Sequence, residues 1–67
     1  MSPRRLGLSI RRLREAKGWD QKELARRAAI SQPYLSQLET GSRPDPAISV
    51  VRKVAKALGV SLDELVT

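Results

Sequence analysis

Cysteine and histidine are both missing from these 67 residues, and each absence removes a class of chemistry. Without Cys there is no disulfide framework and no thiolate nucleophile. Without His there is no imidazole base, and the ordinary zinc sites disappear with the pair. No apolar run approaches the ~18 residues of a membrane span. The N-terminal stretch MSPRRLGLSI lacks the apolar core of a secretion signal. The expectation is a soluble, cytoplasmic chain that needs no cofactor and no metal. No pair of carboxylates is spaced to share a site, so an enzyme is not expected. Low-complexity segments are absent, and nothing alternates apolar and polar residues long enough to be a strand.

What is present is positive charge, unevenly placed. The chain carries 13 Lys and Arg against 7 acids, a net charge of +6. Residues 1–43 hold ten of the basic residues and only four acids. Residues 44–67 balance Arg52, Lys53 and Lys56 against Asp45, Asp63 and Glu64. A one-sided positive field favours a polyanion, of which nucleic acid is the usual one. High solubility alone would also account for many arginines. A length of 67 residues makes one domain, and such a chain buries only roughly 60% of its unfolded surface. Local devices must therefore add to a small core.

The apolar residues recur at helical spacing and predict five helices of a compact all-α fold. Helix 1 is expected from about Pro3 to Lys17, with Ser2 as N-cap, a stripe of Leu6, Ile10, Leu13 and Lys17, and Gly18 as a left-handed stop. Helix 2 spans about Gln21–Ala28, with Asp20 and Glu23 as an acidic capping box. Helix 3 begins after Ser31 and ends near Thr40, before Gly41. Helix 4 is expected to be capped by Asp45, to open on Pro46 and to end before Gly59, burying Ile48, Val51, Val54, Ala55 and Leu58. Ser61 and Glu64 complete a capping box for a short helix 5. Trp19, Ile30 and Val60 each precede a cap, and Leu24, Leu35 and Leu65 follow five positions later. This is the hydrophobic staple, which sets the angle at which the chain joins a helix.

Only Ala29, Ile30 and Ser31 link helices 2 and 3, so the two must cross steeply and pack Leu24, Ala25 and Ala28 against Leu35 and Leu38. At about 100° per residue, helix 3 places Gln32, Pro33, Ser36, Gln37 and Thr40 away from that core, with Tyr34 at the boundary. The outward face is uncharged and rich in amides. Gln can bond adenine N6 and N7 as a bidentate pair, and a free helix N-terminus offers N–H groups to phosphate. An ordinary solvent-facing helix would also carry Gln and Ser.

The segments IRRLREAKGW, QKELARRAAIS, YLSQLETG and VAKALGVSLDEL together resemble the Cro and phage-repressor (XRE-type) helix-turn-helix family, from about Ile10 to Leu65. The resemblance implies a phage-repressor-like DNA-binding fold with its motif at about residues 20–40. It implies that Gln32, Pro33, Ser36 and Gln37 meet base edges. It implies that Gln21 bonds a phosphate and braces Gln32, and that Thr40 and Arg43 face phosphate. It further implies an ion pair between Arg14 and Glu39. The Tyr34 ring can pack on the core edge while its hydroxyl reaches a phosphate. Two positions depart from the family pattern. Ala29 replaces a frequent glycine, which costs ~1 kcal/mol if the residue is left-handed. Pro33 cannot hydrogen-bond a base, but it can touch a thymine methyl.

The resulting expectation is a sequence-specific regulator of transcription, in the first instance a repressor. It would bind double-stranded DNA as a homodimer on a near-palindromic site, with Val60, Leu62, Leu65 and Val66 offered as the dimer contact. The alternative is a protein-binding module, such as an antitoxin that grips a toxin and represses its own operon.

Overall fold

The helices are punctuated by short-range hydrogen bonds, and these set the whole topology. A computed structural model describes residues 2–66. It contains α1 (Pro3–Ala16), α2 (Gln21–Ala28), α3 (Gln32–Thr40), α4 (Ile48–Leu58) and α5 (Leu62–Val66). Four helices stop in the same way. The N–H groups of Trp19, Ile30, Ser42 and Val60 reach back to the carbonyls of Arg14, Ala25, Gln37 and Ala55 at 3.0–3.2 Å. Each bond spans a residue of positive φ, namely Gly18, Ala29, Gly41 or Gly59. This is the Schellman closure, which satisfies carbonyls left over at a helix end. Ala29 takes the left-handed geometry (φ 56°, ψ 44°) despite its Cβ.

Trp19, Ile30 and Val60 have a second role. All three pack against the core, one residue ahead of Asp20, Ser31 and Ser61. One apolar side chain thus closes one helix and anchors the start of the next. Asp20 Oδ1 accepts from the Glu23 N–H at 2.8 Å, and Ser31 Oγ accepts from the Tyr34 N–H at 3.2 Å. Ser2 does the same for Arg5. The Ser61–Glu64 box is reciprocal, with bonds of 3.1 and 3.2 Å.

Several sequence expectations are corrected. The α1 helix ends at Ala16, and Lys17 is exposed; Gly7 and Arg14 join Leu6 and Ile10 on its buried side. The Asp20–Glu23 box is only half formed, because the Glu23 carboxylate turns to Arg26 and Arg27 at 2.6 Å each. The α4 helix starts two residues later than Pro46. Its N-cap is Ala47, without a side-chain cap from its own sequence. The Tyr34 hydroxyl accepts from the Ala47 N–H at 3.2 Å instead. Ile48 is therefore 53% exposed rather than buried.

Every helix contributes to one apolar cluster. It contains Leu6 and Ile10 from α1, Leu24 from α2, Leu35 and Leu38 from α3, Val51, Val54 and Leu58 from α4, and Leu65 from α5. The α1 helix packs on α3, α2 packs on both α3 and α4, and α5 closes against α1 and α4. Gly7 lets α1 approach α3 closely. A Cβ there would stand 2.5 Å from the Glu39 carbonyl oxygen and would also strike that of Leu38.

Candidate nucleic-acid interface

The outward face of α3 rests on a buried polar clamp at its far end. Arg14 from α1 grips Glu39 with two bonds, Nε to Oε2 at 2.7 Å and Nη2 to Oε1 at 3.0 Å. Its third nitrogen, Nη1, donates to the Trp19 carbonyl at 2.7 Å. Gln21 Nε2 donates to Glu39 Oε1 at 3.1 Å. One guanidinium thus ties α1, the loop before α2 and the last turn of α3 together. The side chains are 11% and 3% exposed, so the planar two-bond geometry is well shielded from water. The hydrogen bond to Glu39 pushes the Arg14 pKa further above its already high range, outweighing the opposite effect of burial. Glu39 is turned inward and neutralised, which keeps a negative charge off the α3 surface.

The structure leaves Gln32, Pro33, Gln37 and Thr40 exposed on α3, with Ser36 and Tyr34 half-buried. Opposite them, Leu35 and Leu38 are 0% and 2% exposed. The nine residues of α3 are about 14 Å long at 1.5 Å per residue. The helix diameter with side chains, about 10–12 Å, fits a major groove about 12 Å wide. The Thr40 hydroxyl bonds the Ser36 carbonyl at 3.1 Å and lies 3.2 Å from Ser42 Oγ. It therefore secures the end of α3 as well as facing outward.

Beyond Gly41 the chain folds back over this face. Arg43 Nε donates to Gln37 Oε1 at 3.0 Å, and its guanidinium carbon stands 4.1 Å from the centre of the Tyr34 ring. Arg43, expected with Thr40 to face phosphate, is also built into the amide face. The Tyr34 hydroxyl accepts from Ala47, leaving its own hydrogen to donate elsewhere. Gln21, expected to brace Gln32, is bonded to Glu39 instead; the buried carboxylate is the stronger acceptor.

The fold sends the other surface arginines to different places. Arg26 and Arg27 line a hollow with Lys53 and Lys56 between α2 and α4, and Arg5 and Arg12 flank one between α1 and α5. Arg11 pairs with Glu15 at 3.3 Å on the α1 surface. Arg4 is carried to the end of α3, where its backbone lies against Gly41, and Arg11 also lines a hollow with Glu39 and Thr40 of the last turn of α3. No periodicity marks Arg4, whose position follows from the way α1 crosses α3. On the remaining side, Leu65 is 0% exposed and seals the core rather than facing outward. Val60, Leu62 and Val66 are half-buried against the same cluster. No helix among the described residues is long and apolar enough to cross a membrane.

Comparison with known proteins points the same way as the geometry. A helix-turn-helix family model matches residues 10–65. The chain is 47% identical over 62 residues to the HTH-type transcriptional regulator y4dJ of Sinorhizobium fredii, covering 92% of this chain and 79% of that one. Other curated regulators that it matches are longer, and it spans 40–56% of their length. Among solved structures, it resembles the restriction-modification controller protein C.AhdI of Aeromonas hydrophila with a TM-score of 0.89, at 32% identity and 94% coverage of both chains. It resembles SinR, described as the master regulator for biofilm formation and solved in complex with DNA, with a TM-score of 0.87. Identity to SinR is 34%, over 92% of this chain and 98% of that one.

Proposed function

Because this chain belongs to the helix-turn-helix family of transcriptional regulators, we propose that it represses transcription by occupying a specific duplex DNA site. In this reading α3 enters the major groove. Gln32, Pro33, Ser36 and Gln37 meet base edges, with Pro33 against a thymine methyl. Gln21, Tyr34 and Thr40 face the backbone, Arg4 joins them beside Gly41, and Arg43 stands at the edge between backbone and bases, against Gln37.

The observation that carries this reading is an exposed, amide-rich face free of carboxylates, mounted on a buried two-bond clamp. A reading surface needs both parts. Neutral short side chains can approach base edges without a competing carboxylate. A rigid mount holds them within the tolerance that base hydrogen bonds require. SinR, which this chain resembles, is solved in complex with DNA, and this supports DNA as the partner.

Size supports dimeric binding. The longest extent of the molecule is 25 Å, whereas successive major-groove faces of a duplex lie about 34 Å apart. One copy covers one half-site, and two copies cover a near-palindrome. With Leu65 committed to the core, Val60, Leu62 and Val66 remain as the apolar rim available for that contact.

Selection of bound duplexes from a random pool tests the proposal. An enriched near-palindrome with half-sites one helical turn apart is expected, together with a dimeric mass on that DNA. No enriched sequence, or a strict monomer on the site, would refute it. On the selected site, Gln37→Ala should lose ~1–3 kcal/mol of binding while nonspecific affinity is retained.

A further inference from the structure

The geometry points to Gln37 and Arg43 acting as one reader that offers only hydrogen-bond donors and selects guanine at its base step. This rests on α3 lying in the major groove.

A free glutamine presents both a donor and an acceptor, which is why it suits adenine. Here the Gln37 carbonyl oxygen is engaged. Arg43 Nε stands 3.0 Å from Gln37 Oε1, and a guanidinium has no acceptor. The amide must therefore turn its oxygen toward Arg43, and the Nε2 hydrogens are left for the groove. Arg43 is itself held in place. Its guanidinium lies 4.1 Å from the Tyr34 ring centre, and the Tyr34 hydroxyl is tied to the Ala47 N–H. Arg43 forms no ion pair among the described residues, so its charge stays at the reading surface. Its remaining N–H groups add further donors.

Adenine offers N7 as an acceptor beside an N6 amino donor, whereas guanine offers N7 and O6, both acceptors. An adenine amino group approaching Gln37 Oε1 would meet a cation already seated there. Guanine meets donors at both positions. Arg43 is thus a positioning residue for Gln37 and a determinant of specificity, and the adenine preference expected from Gln37 alone is reversed.

The experiment is selection from random duplexes with the full chain, its Gln37→Ala variant and its Arg43→Ala variant. Low salt keeps binding measurable after loss of a cation. The step read by Gln37 is the one whose preference vanishes in Gln37→Ala. In the unaltered chain that step should be guanine, favoured roughly 5- to 150-fold over adenine. In Arg43→Ala the freed carbonyl should move the preference toward adenine at that step only. Adenine in the unaltered chain, or guanine retained at equal strength in Arg43→Ala, overturns the inference while leaving DNA reading intact. Absence of any enriched sequence overturns the DNA-reading function and the inference with it.

Discussion

Replacing Arg14 with alanine should remove most of the stability of this protein. Arg14 makes two bonds to Glu39 and one to the Trp19 carbonyl. The Glu39 side chain is 3% exposed, so Arg14→Ala would leave its carboxylate buried and held only by Gln21. Breaking a buried pair from one side costs about 3–5 kcal/mol, mainly through the uncompensated charge. A chain of 67 residues is worth roughly 3–10 kcal/mol in all. At about 4–8 °C per kcal/mol, the midpoint should fall by roughly 12–40 °C. The exposed Arg11–Glu15 pair is an internal control. Its side chains are 59% and 54% exposed, so Arg11→Ala should cost no more than about 0.5 kcal/mol. Replacing both members of the clamp, Arg14→Met with Glu39→Leu, removes the orphaned carboxylate. That double variant should recover at least about half of the loss. Urea unfolding followed by circular dichroism measures all four chains. A loss below about 1 kcal/mol in Arg14→Ala, or a double variant no more stable than the single, would refute the reasoning.

Three further outcomes follow from local geometry. Gly7→Ala should destabilise by about 2 kcal/mol or more, although alanine is the better helix former by ~1 kcal/mol, because its Cβ would strike the backbone of Leu38 and Glu39; a neutral or stabilising result in urea melts would mean α1 and α3 shift apart freely. Ala29→Gly should stabilise by up to about 1 kcal/mol, since the residue is left-handed; thermal melts that show a loss would mean that the flexibility gained by the unfolded chain outweighs the relief of strain. Hydrogen bonds from Arg26 and Arg27 lower the Glu23 pKa. Its contribution to stability is therefore present above the ordinary glutamate value of about 4.3 and fades as pH falls through the lowered one. Unfolding of the parent and Glu23→Gln should differ at pH 7 and converge toward pH 3, and a difference that grows on acidification would reverse the sign of the argument.

The positions where reading the sequence succeeded share a short range. Gly18, Asp20, Ser31, Gly41, Gly59 and Ser61 act on backbone groups within a few residues. Their chemistry is the same in any context that lets the helix form. The staple residues Trp19, Ile30 and Val60 are legible for the same reason. Where a local signal had a distant competitor, the local reading lost. Asp45 is a good cap by type, yet the Tyr34 hydroxyl reaches Ala47 from 13 residues away and the helix starts later. Glu23 shows a different competition: it is a good box partner by spacing, yet Arg26 and Arg27, one turn along the same helix, hold its carboxylate.

The sequence by itself determined the five helices of residues 2–66, the stops of α2, α3 and α4 and which face of α3 is amide-rich, because periodicity and capping are local properties. The tertiary structure decided what that face can say. Only the crossing of α1 over α3 brings Arg4 to Gly41 and Arg14 to Glu39. Only the return of the chain after Gly41 lays Arg43 on Tyr34 and against the Gln37 carbonyl. A side chain's hydrogen-bonding character depends on which of its atoms are already engaged, and those partners arrive from elsewhere in the fold.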